Sequence, residues 1–144
     1  MTPEENGQKE RVDSLSFVRL KIPSLIPREL IESVKGRTFT PEQFYKYQEE
    51  NRDNPYNHLF VLIDDDKRIH GYLWAEVNLL DGSLFVNTFS ISKEYWHKGA
   101  AIPRAIEFLS DLKEKIKAQR VYWCTTNAKF FIKKGCKKSK IVLM

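Results

Sequence analysis

Residues 89–116 constrain the fold of this chain more than any other stretch. Phe89, Ser90 and Ile91 end a strand-like segment, a short polar loop leads to Gly99, Ala100 and Ala101, and Ala101, Ala105, Phe108, Leu109, Leu112 and Ile116 then recur at three- and four-residue intervals. That spacing places the apolar side chains on one face of a helix ending near Ala118. The short apolar run 121–125 follows it. With a crossover helix between them, the strand before the loop and the strand after the helix should lie parallel.

The upstream chain supplies the rest of a sheet. Alternation over 15–21, stopped by Pro23 and Pro27, predicts a short strand. Leu30, Ile31 and Val34 predict a first helix over roughly 26–35 with Gly36 as its C-cap. Thr40-Pro41-Glu42-Gln43 is a capping-box pattern that opens a second helix running to about Arg52. Strands are expected over 58–63, 69–79 and 84–92, joined by the 64–68 loop and by a hairpin at Asp81-Gly82. These three should form an antiparallel meander. A short helix over 128–134 with Gly135 as its cap, and a last strand over 140–144, complete the order β-α-α-β-β-β-α-β-α-β.

With 144 residues, the chain has the length of one domain, expected over 14–144 behind a polar, flexible tail at 1–13. No run approaches a membrane-spanning length and the start lacks the apolar stretch of a secretory signal, so a cytoplasmic protein with no membrane partner is expected. Two cysteines, Cys124 and Cys136, exclude a disulfide scaffold, and His58, His70 and His97 lack metal-ligand spacing, so no metal is expected. Asp64-Asp65-Asp66 lacks the glycine and distant glutamate of a calcium loop. Charge is uneven: residues 93–144 carry 13 basic and 4 acidic side chains, against 11 basic and 15 acidic in 1–92. The positive half either meets an anionic partner or is a solvated lysine-rich surface.

An anion would find donors at the loop over 96–102. Unpaired N–H groups and the positive end of the helix dipole point at one spot there. Gly99, Ala100 and Ala101 allow close backbone approach, and Lys98 adds a full charge. The alternative is an ordinary strand-to-helix turn with small residues for packing.

Two landmarks tie these features to a known family. The first is Trp96-x-x-Gly99-x-Ala101, matching the small positions of a Gln/Arg-x-x-Gly-x-Gly/Ala signature. The second is Asn127-Ala128-Lys129-Phe130-Phe131-Ile132-Lys133-Lys134-Gly135-Cys136, in which Phe130 and Gly135 fit Ala-x-x-Phe-Tyr-x-x-x-Gly-Phe. Over about 15–144 the chain resembles the GNAT N-acetyltransferase superfamily. The resemblance implies an α/β fold with a mixed, mainly antiparallel twisted sheet and helices on both faces. It further implies acetyl-CoA as co-substrate, bound where the fourth and fifth strands splay apart. The pyrophosphate would lie on the amides of Trp96, His97, Lys98, Gly99, Ala100, Ala101 and Ile102, and the pantetheine arm along Phe89, Ser90 and Ile91. Lys98 and Arg104 could meet the phosphates, Arg104 being otherwise a solvent-facing helix residue.

The chain departs from the family at two places. Trp96 stands where the signature has Gln or Arg, and Phe131 stands where many members have a tyrosine that protonates the leaving thiolate. Cys124, Tyr122 and Tyr95 are the substitute acids within reach. Glu76 is the candidate base, a carboxylate that alternation places beside Tyr72 and Trp74, where apolar neighbours would raise its pKa; otherwise it is a solvated outer-face residue. Asn87 and Thr88 could orient a substrate, and Tyr45, Tyr47 and Tyr56 either line an acceptor groove or cover a sheet face. The function expected is acyl-CoA-dependent transfer of an acetyl group to a primary amine. The alternatives are a catalytically idle binding protein on the same scaffold and a nucleic-acid-modifying or nucleic-acid-binding relative using Tyr122, Trp123, Phe130 and Phe131. A short closing strand would leave an edge that a second copy of the chain could complete as a homodimer.

Overall fold

In the computed structural model of the chain, the described residues are 15–34, 37–95 and 101–123. They form β1 (Ser16–Arg19), α1 (Arg28–Glu32), α2 (Pro41–Glu50), β2 (Asn57–Ile63), β3 (Ile69–Asn78), β4 (Ser83–Ile91), α3 (Ala101–Ile116) and β5 (Val121–Trp123), with short 3-10 turns at Pro23–Leu25 and Lys93–Tyr95. The sheet order is β1-β2-β3-β4-β5. The first three pairings are antiparallel and β4 runs parallel to β5, as the crossover through α3 requires. The expected short helix at 128–134 and last strand at 140–144 lie outside the described residues, as does the tail.

Both faces of the sheet are covered. On one, α1 and α2 bury Ile26, Leu30, Ile31 and Phe44 against Leu59, Val61 and Tyr72. On the other, Leu109 and Leu112 of α3 pack on Phe60, Leu73, Ala75, Leu84 and Val86. Strand alternation divides β3 between the two cores, Tyr72 and Trp74 facing α2 while Leu73 and Ala75 face α3.

The second helix starts where its sequence says it should. Thr40 Oγ1 accepts from the Gln43 N–H and Gln43 Oε1 accepts from the Thr40 N–H, at 3.1 and 2.8 Å. The first helix is shorter than the expected 26–35. Pro23 and Pro27 stage the entry as a 3-10 turn followed by a helix from Arg28, and Ser33 ends it by turning its hydroxyl onto Leu30 O. Gly36 lies outside the described residues. At the second hairpin Gly82 holds φ +72°, a left-handed conformation that glycine adopts without strain.

Candidate functional site

The middle of β4 is irregular. Trp74 of β3 pairs with Thr88, but its neighbour Ala75 pairs with Val86, which makes Asn87 the extra residue of a β-bulge. The bulge reverses the strand's phase. Leu84 and Val86 before it, and Phe89 after it, face the α3 core, whereas the buried Ser90 faces α1 and donates to Leu30 O at 2.7 Å. The peptide direction reverses too. Before the bulge the Leu84 N–H points to β5, donating to Arg120 O at 2.8 Å; after it the Ser92 N–H points to β3, donating to His70 O at 2.7 Å. Ladder alternation from Ser92 then turns the peptide of Phe89 away from β3, toward the β5 side. The described pairing of β5 with β4 spans Leu84↔Val121 to Val86↔Trp123 and so reaches the residue before the bulge.

Glu76 sits beside the bulge, on the α2 face. Its two oxygens are each held by a donor, Oε1 by Asn87 Nδ2 at 2.7 Å and Oε2 by the Tyr47 hydroxyl at 2.5 Å. The Tyr47 ring packs on Trp74, with centroids 5.3 Å apart. The bond to Glu76, then burial and the carboxylate's charge, push the Tyr47 phenol up to about 12, so the proton stays on tyrosine. A half-buried carboxylate fixed by two donors and flanked by two aromatic rings presents negative charge in a defined place. Such a group suits a protonated amine.

The far end of β4 is clamped. His70 Nε2 meets Asp64 Oδ2 at 2.7 Å, His70 Nδ1 meets Glu94 Oε1 at 3.1 Å, and the Tyr95 ring packs edge-on against the imidazole at 4.7 Å. Burial works against the Asp64 carboxylate, but hydrogen bonds from His70 and the Arg68 N–H outweigh it and hold its pKa below the ordinary value. The clamp fixes the turn Lys93–Tyr95 immediately before residue 96. Beyond the loop, Arg104 of α3 donates to Leu15 O at 2.5 Å, so it braces the helix against the start of β1 rather than facing solvent.

Among the residues singled out from sequence, the structure brings Glu76, Tyr47 and Asn87 together and sets Phe89, Ser90 and Ile91 along the end of β4, with Ile102 in the first turn of α3. Trp96, His97, Lys98, Gly99 and Ala100 lie outside the described residues, as do Cys124, Phe130, Phe131 and Gly135; Ala101 opens α3, and its side chain is not described. The other tyrosines separate from the Glu76 group. Tyr45 donates to Ile26 O at 2.7 Å, which ties α2 to the turn after β1. Tyr56 is exposed, Tyr95 belongs to the His70 clamp, and Tyr122 lies 3.4 Å from Arg120 Nη1. Trp123 packs edge-on against Phe89 at 5.7 Å, within the core rather than on a stacking platform. The bulge itself was missed from sequence, although a signal was present: apolar positions run even at Leu84 and Val86 and odd at Phe89 and Ile91. Among the described residues no group of three metal-ligating side chains occurs, and no helix is long and apolar enough to cross a membrane.

No protein-family model matches the sequence, and no curated protein matches it either. Solved structures do match. Glucosamine-6-phosphate N-acetyltransferase from Arabidopsis thaliana aligns over 90% of this chain and 96% of its own, at 20% identity and TM-score 0.65. The enzyme AAC(6')-Iy, in complex with the bisubstrate analogue CoA-S-monomethyl-acetylneamine, aligns over 90% and 95% at 11% identity and TM-score 0.72. A mutant form of the spermidine/spermine N-acetyltransferase SpeG from Vibrio cholerae aligns over 85% and 77% at 15% identity and TM-score 0.69. The mixed sheet with helices on both faces, expected from the sequence, is the architecture these proteins share with it. The chain has the fold of the GNAT N-acetyltransferases.

Proposed function

We propose that the chain is an acyl-CoA-dependent N-acyltransferase that moves an acetyl group from acetyl-CoA directly to a primary amine. The β4 bulge carries the reading. It turns the Phe89 peptide toward the β5 side, where an extended pantetheine arm can pair with main chain as an added strand does. Phe89, Ser90 and Ile91 would flank that arm through their backbone, since the Phe89 ring and the Ser90 and Ile91 side chains are engaged inside the protein. The amides of 96–102 at the start of α3 would take the pyrophosphate. The basic excess of 93–144 suits a donor that carries three phosphates. The bound bisubstrate analogue of AAC(6')-Iy supports the same donor class.

The acceptor would arrive on the α2 side. Glu76 would hold its ammonium between Tyr47 and Trp74 and take the first of the two protons that the nitrogen sheds, leaving a neutral amine. The donor supplies a thioester carbonyl, to which that nitrogen bonds as the C–S bond breaks. Cys124 is the proposed source of the proton that the departing sulfur takes up, and the second proton shed by the nitrogen restores its thiol. Asn87, held to Glu76, positions the carboxylate and does not itself react.

The test has two stages. Acetyl-CoA should raise the melting temperature in proportion to the logarithm of its concentration above Kd. An amine panel followed by mass spectrometry should then show a gain of one acetyl group with release of free CoA. No shift at millimolar acetyl-CoA removes the donor assignment. Binding without turnover across the panel favours the idle-scaffold alternative, and salt-sensitive retention of nucleic acid in a filter assay favours the third.

A further inference from the structure

At the end of the sheet away from the β4–α3 loop, a pocket of about 330 Å³ opens between the end of β1, the turn after it, the end of α2 and the start of β2. Edge strand β1 forms one wall, so β2 and β3 separate the pocket from β4 and the proposed donor site. Its lining contains the buried amide of Gln48, the buried Leu59 and Pro23, three cations (Arg19, Lys21 and Arg52) and one carboxylate, Asp53.

The identity of the group that Gln48 offers follows from its neighbours. The Trp74 indole N–H can only donate, and it donates to Asn57 Oδ1 at 2.8 Å. That fixes which end of the Asn57 amide is nitrogen. Asn57 Nδ2 in turn donates to Gln48 Oε1 at 2.9 Å, so the remaining end of Gln48 is an NH2 group. Gln48 is 1% exposed and its Nε2 has no hydrogen-bond partner. A buried donor left unsatisfied costs roughly 1–3 kcal/mol, and native proteins carry few of them. Gln48 is part of the pocket lining, and what its amide lacks is an acceptor.

The cations decide which acceptor. Arg19 Nη2 lies 3.0 Å from His58 Nδ1 and its guanidinium sits over the Phe60 ring at 4.7 Å, so its position is set before any ligand arrives. Burial, and then the charge of Arg19, lower the His58 pKa to about 4, which keeps the imidazole neutral and able to accept from the guanidinium. Lys21 is exposed at the rim, and Arg52 is only loosely engaged by Glu49 at 3.6 Å. Three cations against one carboxylate favour an anion over a neutral carbonyl.

We propose that this pocket is a second binding site, for a small ligand bearing a carboxylate or a phosphate, in which an anionic oxygen accepts from Gln48 Nε2 and Arg19, Lys21 and Arg52 surround the charge. The volume suits a compact metabolite rather than a nucleotide.

The experiment is a titration of the full chain, labelled with nitrogen-15, against inorganic phosphate and separately against succinate, with sodium chloride at matched ionic strength as control. The Gln48 side-chain NH2 and Trp74 indole N–H resonances should move together and saturate with a Kd of about 1 mM or tighter for at least one probe. Which probe saturates separates phosphate from carboxylate ligands. The double variant Lys21→Gln, Arg52→Gln, altered only at exposed positions, should weaken that Kd roughly tenfold or more. Gln48→Met should abolish the saturable shift of the Trp74 resonance. The proposal fails if neither probe saturates, if sodium chloride reproduces the shifts, or if the double variant binds as well as the parent; the Gln48 group then holds no more than water.

Discussion

Replacing His58 should flatten the acid side of the stability curve by a calculable amount. The imidazole is 5% exposed, lies parallel to the Phe60 ring and accepts from Arg19, so the folded state resists a second positive charge there. Its pKa falls from 6.5 to about 4 on folding, through burial first and the Arg19 charge second. The unfolded chain therefore binds a proton that the folded chain refuses. Above the unfolded value nothing is lost; as pH drops from 6.5 toward 4, stability falls by roughly 2 kcal/mol at pH 5 and roughly 3 kcal/mol at pH 4. At about 2–4 °C per kcal/mol for a chain of this size, the first figure lowers the melting temperature by about 4–8 °C between pH 7.5 and pH 5. His58→Gln keeps an acceptor for Arg19 and removes the titration. Urea unfolding of both proteins across this pH range should show the variant less stable near neutrality but with the flatter profile. His70 and every carboxylate are common to both, so the difference between the curves isolates His58. Parallel curves, or an NMR titration of the His58 ring centred near 6.5, would refute the reasoning.

Gly71→Ala should damage the end of β4 specifically, because a Cβ there would stand 2.6 Å from Ser90 O and 3.3 Å from Ile91 Cα, both backbone atoms. Forced separation should cost about 1–3 kcal/mol and weaken acetyl-CoA binding more than Thr40→Ala does, measured by thermal shift with and without the donor. Thr40→Ala removes the capping box and should cost about 1 kcal/mol in urea unfolding with the affinity for acetyl-CoA unchanged. Tyr47 ionises late in the folded chain, so the stability it adds is complete below about pH 10 and is lost as pH rises toward 12; Glu76→Gln should move its ultraviolet titration back toward the ordinary phenol value.

What could be read from sequence was local. Thr40 and Gln43 lie three residues apart, Asp81-Gly82 makes its own turn, and the spacing of Ala105, Leu109 and Leu112 describes a helix face whatever it packs on. The length of α1 is not legible locally, because Val34 extends the apolar period whereas Ser33, past the last helical residue, turns its hydroxyl onto Leu30 O. Glu76, Tyr47 and Asn87 are each candidates from sequence, but their meeting is not legible there for a different reason. The donors to Glu76 come from Tyr47, 29 residues earlier, and Asn87, 11 residues later, and register decides whether they meet. Alternation put Glu76 on the correct face beside Trp74; only the bulge delivers Asn87 to it. The Gln48–Asn57–Trp74 chain depends on register in the same way, through Leu59↔Trp74 and Asn57↔Glu76. Trp74 thereby touches a residue of each site, Asn57 of the pocket and Tyr47 of the Glu76 group. Its N–H orients the amides of the anion pocket, and its ring packs on the Tyr47 that holds Glu76. An indole N–H donates and cannot accept, whereas a phenol can do either and a phenyl ring neither, so tryptophan at this position fixes the sense of the amide chain while still offering Tyr47 a broad aromatic face.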